Sequence, residues 1–433
     1  PEVGAAAPRR GRRIETALFW AALVLALTVT LDRIVTADAS IVCTGDEVLI
    51  WAAKAKALWV SGGMSPGFER LLADHRVVHA DYPPHNPLLQ WWTWLVAGRM
   101  GDVENRLAIQ LFAPALLLVA AAALRRHVGP ALAGALLVLL TLNRGMTHAS
   151  WPADADGMVA CGFLVAVDGW LRFAATGRAT FFALAAFGLA TALWAKNEGA
   201  LLAVQFALAL GVAAVVSRRV RARLAGLRGA LAWLLLPVAL EAAHRVFNLR
   251  FGLTNDLAEG AGGTLAGRML GHLDGASLEV LGRAFTHSLT VPPMIPEYFR
   301  PLVPAWLGPS DQNLLLPVFF ALALLRPRRA FGAELGVVTG TLLAAVASFA
   351  LVYLGTVHDL AWHLDTSVGR VLFDLVPAAT VAAAALLGDL LQSAKGGAAS
   401  SAGAAPSNGA AAPVTAPARR EAEAATSAAI SRA

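Results

Sequence analysis

The chain has 433 residues, 57% of them hydrophobic and only 15% charged, with a mean hydropathy of +0.60 and a formal net charge of +6. A soluble domain carries about 25% charged residues, so this balance excludes an ordinary water-soluble protein and makes lipid the solvent. Nucleic acid is not the partner the positive charge implies, because the arginines are grouped beside apolar runs, as in cytoplasmic loops that face anionic lipid.

Residues 1–16 form a basic N-terminus, and PRRGRRIETALFWAALVLALTVT joins it to an apolar core. The later TADAS resembles a signal-peptidase site, but the reading adopted is a first membrane helix, 17–36, retained as an anchor. Further apolar helices are expected at about 107–124, 129–147, 157–173, 180–195, 199–216, 229–248, 312–325, 333–355 and 370–391. Each approaches the roughly 17–25 residues needed to cross a ~30 Å hydrocarbon core. Runs such as LLLVAAAAL, 116–124, lack the alternation of a membrane β-barrel. The expected fold is therefore an all-α polytopic membrane protein with about ten transmembrane helices. Residues 17–392 make up its transmembrane domain, and its long first loop carries juxtamembrane helices. NPLLQWWTWLVAGRM, 86–100, is expected to lie along the membrane surface, since Trp favours the interface. Residues 393–433, rich in Ala, Ser, Gly and Pro, read as a disordered cytoplasmic tail.

Topology follows from the basic groups. Arg9 to Arg13, Arg125 with Arg126, Arg172 with Arg178, Arg218 to Arg228, and Arg326 to Arg329 all fall on one side of this helix pattern. The positive-inside rule makes that side, and both termini, cytoplasmic. The loops 37–106 and 249–311, the loop near 147–156, the KNEG turn and the segment near 358–370 then face outward from the cytoplasmic membrane.

Five outward stretches hold candidate residues, each with a bland alternative. In TGDEVLIWAAKAKALW, 44–59, helical spacing places Glu47, Trp51, Lys54 and Leu58 on one face. Asp46 stands at the helix start, where it either caps the helix or does chemistry. In HADYPPHNP, 79–87, the prolines stiffen a loop that aims Asp81 and Tyr82, while His79, His85 and Asn86 read as loop structure. In WPADADG, 151–157, capping explains one of Asp154 and Asp156 but not both; the pair also suits a divalent cation or a hydroxyl nucleophile. In WAKNEG, Gly199 suits a tight helix turn, whereas Lys196 and Glu198 are ionisable groups held near membrane depth. In HDLAWHLDTSVGR, His358 and His363 are spaced poorly for zinc, and Arg370 is either an interfacial side chain or a phosphate clamp. Glu241 and Arg245 read as a structural ion pair, Cys161 as a packing residue.

The order of DEVLIWAAKAKALW, ADYPPHNP, ADAD before a helix, WAKNEG and WHLDTSVGR resembles the GT-C superfamily, over about residues 15–392. More narrowly it resembles the bacterial membrane glycosyltransferases related to protein mannosyltransferases and aminoarabinose transferases. The resemblance implies transfer of a sugar from a polyprenyl-phosphate donor to an acceptor, whether glycan, lipid or protein, at the outer membrane face. It implies Asp46 as the base or acceptor-orienting carboxylate, Asp154 or Asp156 as the second-loop acid, and Lys196 and Arg370 as ligands of the carrier phosphate. Family members often have Pro two residues after the second-loop acid; Asp156 stands there if Asp154 is the match. The candidate catalytic set is thus Asp46, Asp154 and Asp156. The substrate-binding set is Glu47, Lys54, Asp81, Tyr82, Lys196, Glu198, His363 and Arg370. No cofactor is required by this reading, with a divalent cation as an option, and the partners are the lipid-linked donor and membrane lipid. The rival is a transporter or flippase, in which the same ionisable residues line a translocation path.

Overall fold

The computed structural model describes residues 9–40, 45–74, 77–227, 229–255, 264–290 and 313–402. The chain divides into two compact units, Pro1–Leu390 and Leu391–Ala433, and the architecture below is that of the first. No β-strand element occurs among the described residues.

The N-terminal half begins with α1 (Arg9–Ser40) and a π-helical turn, Glu47–Ala52, that runs into α2 (Ala53–Ser61). α3 (Pro66–Asp74) and α4 (His85–Ala97) make the predicted first loop largely helical, and α5 (Glu104–Gln110) starts at its end and leads the Glu104–His127 apolar helix. α6 (Phe112–His127), α7 (Pro130–Thr141), the short α8 (Arg144–Ser150) and α9 (Asp156–Thr176) follow. Next come α10 (Ala179–Ala195), α11 (Asn197–Val216), α12 (Arg218–Ala225) and α13 (Leu235–Phe251). α14 (Leu265–Gly271) and α15 (Gly275–Thr290) lie within the second predicted outer loop. α16 (Leu315–Leu325), α17 (Pro327–Ala330), α18 (Gly336–Leu354), α19 (Leu360–Phe373) and α20 (Val376–Ala402) end the described chain.

Among the described residues six helices are long and apolar enough to cross a membrane. They are Gly11–Ala39, Glu104–His127, Asp156–Thr176, Asn197–Val216, Gly336–Leu354 and Val376–Ala394. Shorter apolar helices, Pro130–Thr141, Ala179–Ala195 and Leu315–Leu325, accompany them. These match nine of the ten expected segments. The tenth, 229–248, is helical but starts as a 3₁₀ turn, Ala230–Leu234, and its helix carries Glu241, His244, Arg245 and Asn248. α20 continues through Ala402, past the expected end at 392; residues 403–433, and the VPPMIPEYFRPLVPAW stretch of the second loop, lie outside the described residues.

α9 forms the centre, with 83% of its apolar window buried, whereas α1 and α11 bury only 22% of theirs and leave apolar faces for lipid. Without a water-driven hydrophobic force between membrane helices, close backbone approach at small residues does the packing. A Cβ at Gly162 would lie 2.8 Å from the Gly188 carbonyl, and one at Gly188 would lie 2.5 Å from the Ala166 amide. One at Gly169 would lie 2.6 Å from the Ala185 amide. These glycines lock α9 against α10 along their length, which sets the start of α9 beside the end of α10.

The consequence is a molecule with two chemical poles. At one, the end of α9 bears Asp168, which pairs with Arg126 and, at 3.6 Å, with Arg172. Arg329 bridges Glu334 at 2.9 Å and Asp389 at 2.5 Å, and Arg219 reaches Glu334 at 2.9 Å. Asp168 thus joins Arg126 to Arg172, and Glu334 joins Arg219 to Arg329. The opposite ends of α9, α10 and the start of α11 carry Asp156, Lys196 and Glu198. A helix of about 20 residues is about 30 Å long, so α9 separates the poles by the thickness of a bilayer core.

Candidate active site

At the second pole a cavity of about 310 Å³ is lined by Asp46, Tyr82, Asp154, Asp156, Lys196, Glu198, His363 and Arg370, among others. These come from five stretches far apart in the chain, and each element delivers its side chain for a local reason.

Asp46 precedes the π-helical turn without any side-chain capping bond. Its carboxylate instead meets Nη1 of Arg370 at 2.8 Å and is 43% exposed. The next residue, Glu47, turns the other way, into a buried ion pair with Nε of Arg106 at 2.5 Å. Arg106 also donates to the Ala37 carbonyl at 3.2 Å, so Glu47 anchors the turn that presents Asp46 to α1 and α5. Glu47, Trp51, Lys54 and Leu58 are all buried, as the spacing predicts. Lys54 points away from the cavity: Nζ donates to the carbonyls of His79, at 2.6 Å, and Tyr82, at 3.2 Å.

That clamp shapes the second stretch. His79 has a positive φ of 50°, a conformation costly for a residue with a Cβ, and Lys54 binds its carbonyl. Its ring stacks on Tyr82 with centroids 4.7 Å apart, and both rings face the cavity. Burial, with the Glu198 charge, pushes the Tyr82 hydroxyl well above its ordinary range. Asp81 lies behind the wall rather than on it: Oδ2 accepts from Asn197 and Asn255, each at 2.8 Å, and its carbonyl accepts from Asn248 at 2.9 Å.

Asp154 and Asp156 are both buried, and neither caps α9, whose N-cap position is Ala155. A ladder of buried amides holds their loop: Asn105 to Gln90 at 2.8 Å, Gln90 to Asn86 at 2.7 Å, and Asn86 to the Ala153 carbonyl at 2.7 Å. Gln110 binds the Trp151 carbonyl at 3.1 Å. The two acids have different partners. Asp156 accepts from Lys196 Nζ at 2.8 Å, and Arg370 lies 3.7 Å from its other oxygen. Asp154 has Arg370 at 3.4 Å, and burial pushes its carboxyl up to about 7 against the pull of that cation. Asp154 is thus the acid set to exchange a proton near neutrality, while Asp156 is tied to a buried ammonium.

Lys196 has an extended backbone, φ −160° and ψ 156°, between α10 and α11. Burial opposes its charge, but Asp156, and Glu198 at 3.2 Å, outweigh that and hold its pKa well above the ordinary lysine value. Gly199 sits in the tight turn between α10 and α11, its amide donating to the Lys196 carbonyl at 2.9 Å and without a positive φ. A Cβ there would lie 1.9 Å from the Ala192 carbonyl, so its role is to let α11 touch α10.

From α19 come Arg370 and His363. Burial works against the Arg370 charge, yet Asp156, Asp154 and Asp46 together raise its pKa further. Thr356 fixes the His363 ring at 2.8 Å, and burial, with His358 nearby, lowers that imidazole to about 4, so it is neutral at physiological pH. The carboxylates of the cavity face Arg370 and Lys196. Among the described residues no group of three or more His, Cys, Asp or Glu side chains is arranged to hold a metal ion.

Several contributors carry no sequence signal. Asn86, read as loop structure, supports the second acid loop. Asp374, at the end of α19, is wholly buried, and neither carboxyl oxygen has a hydrogen-bond partner among the described residues. Burial, reinforced by Asp156, raises its pKa well above the ordinary carboxylate range. Glu241 and Arg245 form the expected pair at 2.7 Å, and Cys161 is buried as packing.

No protein-family model matches the sequence, and no curated protein matches it either. Among solved structures the chain is similar to the crystal structure of ArnT from Cupriavidus metallidurans bound to undecaprenyl phosphate. The identity is 17% and the TM-score 0.42, with 88% of this chain and 79% of that chain covered.

Proposed function

We propose that the chain is a glycosyltransferase of the GT-C type, moving a sugar from a polyprenyl-phosphate-linked donor to an acceptor at the outer face of the cytoplasmic membrane. One observation carries this reading: Asp46, Asp154, Asp156, Lys196 and Arg370 converge on one cavity at a single pole of a membrane-helix bundle. The motifs that resemble the family are the ones that line it. The arginine-rich pole is then the cytoplasmic one, by the positive-inside rule.

The chemistry suits the groups. The acceptor oxygen attacks the anomeric carbon as the bond from that carbon to the phosphate oxygen breaks, and the bonding pair leaves with the phosphate. The acceptor proton passes to Asp154, whose carboxyl is pushed by burial up to about 7 and so is matched to proton transfer at physiological pH. Asp46, the more exposed acid, orients the acceptor hydroxyl. Arg370 and Lys196 face the charge that develops on the leaving phosphate. Asp156 and Glu198 hold the Lys196 ammonium in place, and Tyr82 and His363 bound the sugar.

The test is a transfer assay on the purified full chain in lipid nanodiscs, with a panel of polyprenyl-phosphate sugars and a cell-envelope extract as acceptor. Consumption of one donor with release of polyprenyl phosphate is the expected result; no turnover of any donor overturns the reading. Labelling of a Thr366→Cys variant, free of other cysteines, tests the orientation. Modification from the cytoplasmic side alone is incompatible with it.

A further inference from the structure

One face of α19 runs along the cavity. Asp359 starts that helix by accepting the Trp362 amide on Oδ1 at 2.8 Å. The start sets the register: His363, Ser367 and Arg370 follow at i, i+4 and i+7, share one face, and all three line the cavity. Arg370 meets the three aspartates, and His363 stands two turns away, about 10 Å along the helix axis.

Hydrogen bonds fix where each proton on this face lies. Ser367 Oγ donates to the His363 carbonyl at 2.7 Å and lies 2.9 Å from the Tyr353 hydroxyl, so Tyr353 is the donor of that pair. Thr356 Oγ1 accepts the His358 amide at 3.1 Å and lies 2.8 Å from Nδ1 of His363. Thr356 is only 1% exposed, and Nδ1 is the acceptor that its hydroxyl proton finds among the described residues. Were Nδ1 the donor instead, that buried proton would be left without a partner. Nδ1 is therefore the bare nitrogen. Burial, with His358, His79 and Lys196 nearby, lowers the imidazole to about 4, so the ring is neutral and its one proton sits on Nε2. Nε2 makes no hydrogen bond among the described residues. Beyond Arg370, with the Ser367 and Tyr353 protons engaged, Nε2–H is the donor that this face offers.

The cavity also limits the size of its guest. Its volume of about 310 Å³ is at the small end of the roughly 300–1,000 Å³ typical of ligand pockets, with room for one sugar ring. We propose that the donor carries a neutral monosaccharide whose edge remote from the anomeric carbon sets a hydroxyl oxygen on Nε2–H of His363, with Thr356 as the positioning residue that fixes the tautomer. This assignment rests on the transferase reading and adds the class of sugar to it. An N–H donor needs a lone pair opposite it. A hydroxyl supplies one, whereas the methylene of a deoxy sugar has none and a protonated amine turns hydrogens toward a hydrogen. Either substitution leaves Nε2–H without an acceptor, and a site built to hydrogen-bond a hydroxyl rejects the analogue that lacks it.

The experiment measures kcat/KM of the purified full chain in nanodiscs. The probes are polyprenyl-phosphate-linked glucose, mannose, galactose, arabinose and 4-amino-4-deoxyarabinose, with deoxy forms of the consumed donor, one hydroxyl removed at a time. A neutral sugar is expected to be consumed, and one deoxy form to be slower by about tenfold, the effect of one buried hydrogen bond left unmade. His363→Leu should slow the parent donor by a similar factor and no longer distinguish it from that deoxy form. His363→Gln, whose side chain keeps an N–H at similar reach, should retain the discrimination. Thr356→Val should weaken it and Thr356→Ser restore it. Each ratio compares two donors on one variant, so any loss of folded protein cancels, and a merely structural His363 would slow all donors alike. No turnover of any donor by wild type removes the transferase reading and this proposal with it. Indifference to every deoxy position, an undiminished penalty in His363→Leu, or preference for the amine-bearing donor overturns the proposal alone and leaves the transferase reading standing.

Discussion

Replacing Lys196 with Met takes the ammonium from between Asp156, 2.8 Å away, and Glu198, 3.2 Å away. Lys196 and Asp156 are 8% and 2% exposed, so water cannot take over the solvation that is lost. Breaking a buried ion pair from one side costs about 3–5 kcal/mol, because the remaining charge is stranded. Arg370, 3.7 Å from the second oxygen of Asp156, still offers that acid a partner, so the loss belongs at the lower end, about 3 kcal/mol. Asp156→Asn should cost a similar amount, since Lys196 keeps only Glu198. In the double variant neither charge is stranded, and the two losses should not add: a coupling of about 2 kcal/mol is expected, well above the ~0.5 kcal/mol scatter of independent sites. Reversible unfolding in mixed micelles of rising dodecyl sulfate content, followed by circular dichroism, measures all four stabilities. Additive losses would refute the claim that these residues form one buried unit.

The Asp154 carboxyl, raised by burial to about 7, makes transfer pH-dependent: the ionised base is needed, so kcat should rise as pH increases through about 7. Asp154→Asn should lower kcat and erase that limb, and an unchanged profile in the variant assigns the proton transfer elsewhere. The same shift has a stability sign. The folded chain keeps a proton that the unfolded chain releases, so this group's contribution is full below 3.8 and declines as pH rises to about 7. Asp46→Asn should abolish transfer while leaving micellar unfolding within about 0.5 kcal/mol of wild type, since Asp46 is the exposed partner of its ion pair. Gly199→Ala pushes a methyl into the Ala192 carbonyl, 1.9 Å from the ideal Cβ position. It should destabilise by about 3 kcal/mol, the upper range of overpacking costs, as measured by the same titration; a neutral effect means that α10 and α11 separate without strain.

The membrane class was legible because length and apolarity are local properties: a run of Leu, Val and Ala needs no tertiary context to demand lipid. Nine of the expected segments reappear as apolar helices for that reason. The segment 229–248 is not among them, since its helix carries four polar residues: His244 and Asn248 are buried, with Asn248 holding the Asp81 carbonyl, while Arg245 is exposed. Candidate site residues were partly legible too. Acids standing where capping was an incomplete explanation, Asp154 and Asp156, and ions at membrane depth, Lys196 and Glu198, do meet in one cavity. Glu47, Lys54 and Asp81 do not line it, and instead fix the chain behind Asp46, His79 and Asn197. Spacing along a helix identifies a shared face but not what that face meets.

By itself the sequence determined the solvent, the helices and the poles, since each follows from apolar length or from the placement of arginine beside it. Tertiary structure decided the electrostatics. Which aspartate is tied to Lys196 and which titrates near neutrality depends on distances between α9, α10 and α19, and those are set by glycine contacts between backbones. It also decided that Arg370 stands among three acids, because charges far apart in the chain add up only once packing brings them to the same wall.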